Sequence, residues 1–169
     1  MAKYITEVLR EINDDVSLFQ TTYKKVGNGG PLGRLFYHAF TSQGKFLLPE
    51  GEPPYKPDSA PIGMSPVRFI GEINKLVNFC RPDLKQMKRD VMFVQLCEAI
   101  HPDEVKILIA VKDQKLTELY PNITRKVVAA AGFIPALTPE EQKQEDKEVK
   151  KSVRSRGRPR KSESPQQAQ

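Results

Sequence analysis

No stretch of this chain approaches the roughly 18 consecutive apolar residues of a membrane-crossing helix. The opening MAKYITEVLREINDD carries a charge every few residues where a signal peptide would have an apolar core. Both lacks lead us to expect a soluble, non-exported, cytoplasmic protein. Cysteine is scarce: Cys80 and Cys97 are the only two, without the paired spacing of a disulfide framework or a zinc ribbon, so both read as reduced core thiols. Histidine is as scarce, at His38 and His101, and neither has ligand or triad company at a recognisable spacing. The glycines of GNGGPLG (27–33) are not followed by Gly-Lys-Ser/Thr and follow no strand, so they read as a helix connection and not a phosphate loop. Asp14 with Asp15, and Glu50 with Glu52, read as cap and loop charges, because paired carboxylates do acid–base chemistry only across a pocket. We expect no metal, no cofactor and no enzyme.

Period-two alternation and internal repeats are also missing, and what is present is helical periodicity. Tyr4, Ile5, Val8, Leu9 and Ile12 mark an amphipathic first helix, with Glu7, Arg10 and Glu11 opposite. A second is expected from Asp14 or Asp15 through Val16, Leu18, Phe19 and Tyr23 to the glycine stop, and LGRLFYHAF gives a third. From Leu47 to Pro66 there are six prolines in twenty residues, too many for a helix or a central strand, so an ordered loop or linker is expected. Ser65 and Pro66 look like an N-cap and first helical position, opening a helix whose stripe is Val67, Phe69, Ile70, Ile73, Leu76, Val77 and Cys80. The next stripe is Leu84, Met87, Val91, Phe93, Val94, Leu96 and Cys97. HPDEVKILIAVKDQ starts with Pro102 and two acids, which suits the helix dipole, and PNITRKVVAAAG repeats the pattern and stops at Gly132. The expected fold is all-α, about seven helices in one compact domain over residues 1–136. A polar helical arm over 137–151 follows, opened by Thr138, Pro139 and Glu141 as a capping box, and a disordered basic tail over 152–169.

The charge is segregated. Residues 1–149 hold 20 Lys/Arg and 20 Asp/Glu, whereas Lys150, Lys151, Arg154, Arg156, Arg158, Arg160 and Lys161 crowd twelve positions with no acid among them. Such a block attracts polyanions, nucleic acid first and anionic membrane second. Its centre is RGRPRK, with Gly157, Arg158 and Pro159 in the middle. This segment resembles the AT-hook, whose Gly-Arg-Pro core lies extended in the narrow minor groove of A·T-rich DNA. Each residue suits that role, since proline holds the chain extended, glycine lets the backbone approach the groove floor, and guanidiniums enter a region of enhanced negative potential. The alternatives are a generic basic tail for any polyanion and, ranked lower, a nuclear-localisation signal.

The body carries a second resemblance. PLGRLFYHAFTSQGKF, FIGEINKLVNF and EVKILIAVKDQKLTELYPNITRKVVAAAGFIP, in that order, resemble the N-terminal DNA-binding domain of phage-type ATP-dependent DNA ligases, over about residues 3–135. Lys112 and Asp113 fall where that family has an Arg-Asp or Lys-Asp pair, and GFIP where it has Gly-Leu-Ile-Pro. The resemblance implies a small all-α domain that grips the duplex backbone across the minor groove, and a tailed-phage source. The chain departs from the family at its Gly-x-Ser-type turn, where QKLTELYPN brings Pro121 and no glycine. Lys112, Lys115, Thr124, Arg125 and Lys126 are the candidate phosphate contacts in its place; the alternative is an ordinary solvated helix face. The ligase Lys-x-Asp-Gly motif occurs nowhere in the chain, so nucleotidyl transfer is not expected.

The expectation is therefore a non-catalytic protein that binds double-stranded DNA, preferably A·T-rich. Its candidate residues are Lys150, Lys151, Arg154, Arg156, Gly157, Arg158, Pro159, Arg160 and Lys161. The other reading is an adaptor whose neutral body binds a replication or transcription protein while the tail tethers it to DNA.

Overall fold

The computed structural model describes residues 3–23, 30–61 and 64–136. Contacts divide the chain between Met1–Ala136 and Leu137–Gln169, and the architecture below belongs to the first unit. The polar arm and the whole of the basic segment lie outside the described residues. The described residues are all-α: α1 (Ile5–Asp14), α2 (Pro31–Phe40), α3 (Phe69–Glu72), α4 (Gln86–Ala99), α5 (Pro102–Lys112), α6 (Leu116–Leu119) and α7 (Arg125–Ala130).

The sequence EVKILIAVK puts apolar residues on nearly every side of α5, and a helix apolar all round belongs in the interior. Val105, Ile107, Leu108 and Val111 are fully buried, and α5 packs against α1, α2, α4 and α6. Two aromatic clusters flank this axis. Phe19, Phe36 and Phe133 meet edge-on or tilted at 5.5–5.8 Å, while Phe46, Phe79 and Phe93 form a second group with centroid separations of 5.4–6.4 Å. α2 serves both, since Phe36 belongs to the first and His38 stacks edge-on against Phe46 at 5.3 Å. Each such ring pair adds about 0.5–1.5 kcal/mol to the burial of its area.

Several expected helices are built differently. Within the described residues the second is a π-helical turn, Phe19–Tyr23. The Asp15 carboxylate accepts from the Ser17 amide at 2.9 Å, a local turn that competes with helix continuation. Ser65 and Pro66 do not open α3; the helix begins at Phe69, after Arg68, with no side-chain cap of its own. The buried Glu104 carboxylate, 35 residues on, accepts from the Phe69 amide at 3.1 Å and supplies the missing cap. After α3 the backbone tightens into a 3₁₀ run, Ile73–Cys80. The residue spacing there is nearer three per turn than 3.6, so Val77 leaves the expected stripe and is exposed. On α4, Phe93 and Cys97 are buried as expected, but Met87 and Val91 face outward.

The proline-rich 47–61 segment is an ordered loop laid over α4 and α5. Its backbone is tied down by Leu47 N to the Phe79 carbonyl at 2.9 Å, Gly51 N to Asp113 Oδ2 at 3.2 Å and Lys56 N to Glu98 Oε1 at 3.2 Å. Arg89 holds its root: the buried guanidinium donates to the carbonyls of Leu47, Arg81 and Leu84 and to Gln86 Oε1, at 2.6–3.2 Å. Four bonds from one buried cation satisfy carbonyls that would otherwise be desolvated without a partner.

Candidate nucleic-acid interface

The candidate phosphate contacts of the body cluster around the end of α5, where the chain turns through α6 into α7. Lys112 does not belong to this set. It is buried, and its ammonium donates to the Pro49 carbonyl at 2.7 Å and to the Asp113 carboxylate beside it. That corrects the expectation: a phosphate would have to displace two internal acceptors and open the loop. Lys115 is exposed at the start of α6, where its backbone amide bonds the Ala110 carbonyl at 2.8 Å. Thr124 is the N-cap of α7, and its hydroxyl oxygen accepts from the Val127 amide at 3.4 Å. Arg125 and Lys126 occupy the first turn of that helix, the latter exposed. The structure thus groups Thr124, Arg125 and Lys126 by adjacency, spends the threonine on capping, and takes Lys112 away.

The QKLTELYPN turn between α5 and α7 is held by amide side chains. The Asn122 side-chain amide donates to the Asn13 carbonyl at 2.7 Å, and the Asn122 backbone amide donates to Asn13 Oδ1 at 3.1 Å, so the turn is pinned to the end of α1. Gln114, the one described non-glycine residue with positive φ (55°), turns the chain after α5. Its side chain donates to the carbonyls of His38 and Thr41, fastening this corner to α2. Sequence pattern gives no sign of either link, because the partners lie 109 and more than 70 positions away.

Two open clefts adjoin this corner. One is lined by Lys106 and Lys115 together with Glu52, Asp113 and Glu118, and by Leu119. The other, of about 500 Å³, brings Arg10 and Lys106 beside Glu7 and Asp103, with Tyr4 and Tyr120. Lys106 is already paired with Asp103 at 2.9 Å. Cations here alternate with acids, which lowers the attraction such a surface offers a phosphate backbone.

Elsewhere the fold brings together a thiol and an imidazole that the spacing did not connect. Cys80 Sγ lies 3.5 Å from His38 Nδ1, and both address the Gly44 carbonyl, at 3.2 and 3.0 Å. Burial pushes the thiol up to about 11 and lowers the imidazole below its ordinary 6.5. A thiol and an N–H donating to one carbonyl is a packing motif, not an activated nucleophile, which needs the opposite pKa shift on sulfur. Gly44 is required at the centre, since a Cβ there would lie 2.6 Å from the Tyr37 carbonyl oxygen.

A third feature is an apolar cleft of about 330 Å³ between the 48–54 loop and α4. No group of three or more His, Cys, Asp or Glu is placed to hold a metal among the described residues. Nor is any helix among them long and apolar enough to cross a membrane.

No curated protein and no solved structure matches the chain. A family model does match, over residues 10–118, from the middle of α1 to the third residue of α6. The matched span contains α2 to α5, the ordered loop and both aromatic groups except Phe133; it stops short of Thr124, Arg125, Lys126 and the basic segment. With well over half its length inside that span, the chain belongs to DUF6433, a family of unknown function.

Proposed function

We propose that this is a non-catalytic protein that binds double-stranded DNA through its basic C-terminal segment, with the helical body orienting the complex or carrying a partner. The observation that supports it most is the segregation of charge: seven cations between Lys150 and Lys161 around Gly157-Arg158-Pro159, with no acid, in a chain whose first 149 residues are neutral. Arg156, Arg158 and Arg160 enter the minor groove, Gly157 and Pro159 let the backbone follow its floor, and Lys150, Lys151, Arg154 and Lys161 meet phosphates. The likeness of the segment to an AT-hook and of the body to a ligase DNA-binding domain both favour duplex DNA, and a tailed-phage source with a host-cytoplasm location belongs to the same reading.

Salt titration of duplex binding tests it. With five to seven phosphates neutralised, the slope of log K against log salt is roughly −4.5 to −6. Deleting residues 150–169 abolishes most of that slope; an unchanged affinity and slope would overturn the reading. Arg158→Ala separates the two kinds of basic tail: the AT-hook reading predicts loss of preference for A·T-rich over G·C-rich duplex, a generic tail only a small loss on both.

The second reading, an adaptor that docks a replication or transcription protein on its body, is favoured by the fate of the body's charges. Arg89, Glu104 and Lys112 are buried and used internally, and Lys106 is paired with Asp103.

A further inference from the structure

α4 has two faces of different chemistry. Phe93 and Cys97 point into the core, while Met87 is 78% and Val91 51% exposed. Met87, Val91 and Val94 stand at i, i+4 and i+7, so they form one stripe along the helix. Val94, at its far end, lines the cleft beneath the 48–54 loop, together with Leu48, Pro53 and Phe93. Large apolar side chains left in water and leading into an apolar cleft mark a contact surface.

The rim of that cleft has one sign. Glu50, Glu52 and Asp90 line it, and the only cation in its lining, Lys112, is buried and committed to Pro49 and Asp113. Glu50 and Asp90 therefore meet no free cation within the cleft, while Glu52 also borders the neighbouring cleft that holds Lys106 and Lys115. Its loop wall is also pre-formed: Pro49, Pro53 and Pro54 stiffen it, and Leu47 N, Gly51 N and the Pro49 carbonyl anchor it to the body. A wall ordered beforehand does not lose that freedom on binding.

We propose that this cleft and the Met87–Val91 stripe dock a segment of a partner protein that is amphipathic and basic. Its apolar anchor enters between Leu48, Pro53 and Phe93, its next apolar turn covers Val91 and Met87, and its flanking lysines or arginines meet Glu50, Glu52 and Asp90. Duplex DNA does not fit this site, because the same carboxylates repel phosphate. The proposal rests on the adaptor reading and gives it a surface and a partner chemistry.

The test uses the full chain and three fluorescein-labelled synthetic helical peptides of equal length: one with leucine or phenylalanine at i, i+4 and i+7 among lysines, one with glutamates replacing those lysines, and one with serines replacing the apolar residues. Anisotropy at a fixed, near-physiological salt concentration should show saturable binding of the first only. The pair Glu50→Lys/Glu52→Lys and the pair Met87→Ser/Val91→Ser should each weaken it tenfold or more, with unchanged melting midpoints. Equal binding of the lysine-serine peptide, binding indifferent to both variant pairs, or no binding of the first peptide would each overturn the proposal. So would a concentration-dependent dimer in sedimentation that Met87→Ser/Val91→Ser abolishes, since the stripe would then belong to a second copy. A partner recovered from host extract by the full chain, still held by both variant pairs, sinks the cleft assignment while leaving the adaptor reading standing; a partner released by both supports the two together.

Discussion

The body and the basic segment use the same residue types for opposite purposes. In the body, cations meet acceptors that the chain itself supplies: Arg89 holds three carbonyls and a glutamine, Lys112 a carbonyl and a carboxylate, and Lys106 and Lys75 form ion pairs with Asp103 and Glu72. From Lys150 to Lys161 seven cations follow one another with no acid among them. Charge count alone does not distinguish these situations. A buried guanidinium contributes to stability and little to the outer field, whereas a run of one sign contributes to the field and nothing to a core.

This contrast breaks most visibly at Arg89. Arg89→Ala leaves the carbonyls of Leu47, Arg81 and Leu84 without their shared donor, and should cost about 3 kcal/mol or more. That corresponds to a fall in melting midpoint on the order of 10 °C by calorimetry. The salt slope of duplex binding, measured below the transition, should not move; a changed slope would place this arginine at the DNA.

Lys112→Gln sharpens the comparison at the residue that sequence had assigned to phosphate. It loses the charge-assisted bonds to Pro49 and Asp113 and should destabilise by roughly 1–3 kcal/mol, read from urea midpoints, with duplex affinity unchanged. A drop in affinity without loss of stability would restore Lys112 to the interface.

Two buried groups predict opposite responses to acid. Burial holds the Glu104 carboxyl above its ordinary 4.5, partly countered by the amides of Phe69 and Ile5. A raised carboxyl contributes stability that is fully present below the ordinary value and is lost as pH rises through the raised one. Glu104→Gln should therefore flatten the stability profile on the alkaline side of pH 4.5. His38, lowered below 6.5 chiefly by burial, contributes stability present above 6.5 and lost as pH falls through its depressed value. His38→Gln should remove that loss; melting midpoints from pH 4 to 8 for the two variants check both signs.

The smallest effect is expected in the basic segment. Lys151→Gln removes one of its seven cations and should reduce the magnitude of the salt slope by about 0.9 with no change in melting midpoint. A shift in the midpoint would mean that this lysine, like Arg89, is answered by the body.

What could be read in the sequence followed from interactions close along the chain. The all-α class, α1, α2, α5 and the irregular proline-rich loop were legible because apolar spacing and proline act locally. The start of α5 at Pro102 was legible too, and His101 caps it, its Nδ1 accepting from the Asp103 amide at 3.2 Å. Apart from the local turn at Asp15 and the 3₁₀ winding of 73–80, the failures come from groups distant in the chain. α3 looked as if it began at Ser65 because its cap, Glu104, lies on another helix. Val77, Met87 and Val91 looked buried because a stripe does not tell whether the 3₁₀ winding of 73–80 or the width of the neighbouring loop leaves it covered. Lys112 looked like a surface cation because Pro49 is 63 positions away.

The sequence by itself determined that this is a helical body of balanced charge joined to a segment of one sign, because composition and periodicity need no partner to be read. Only the tertiary structure decided which of the body's charges are internal, that Cys80 and His38 share one carbonyl, and that an acid-rimmed apolar cleft opens beside α4. Each of those depends on groups that meet across tens of residues, and packing sets such meetings where spacing does not.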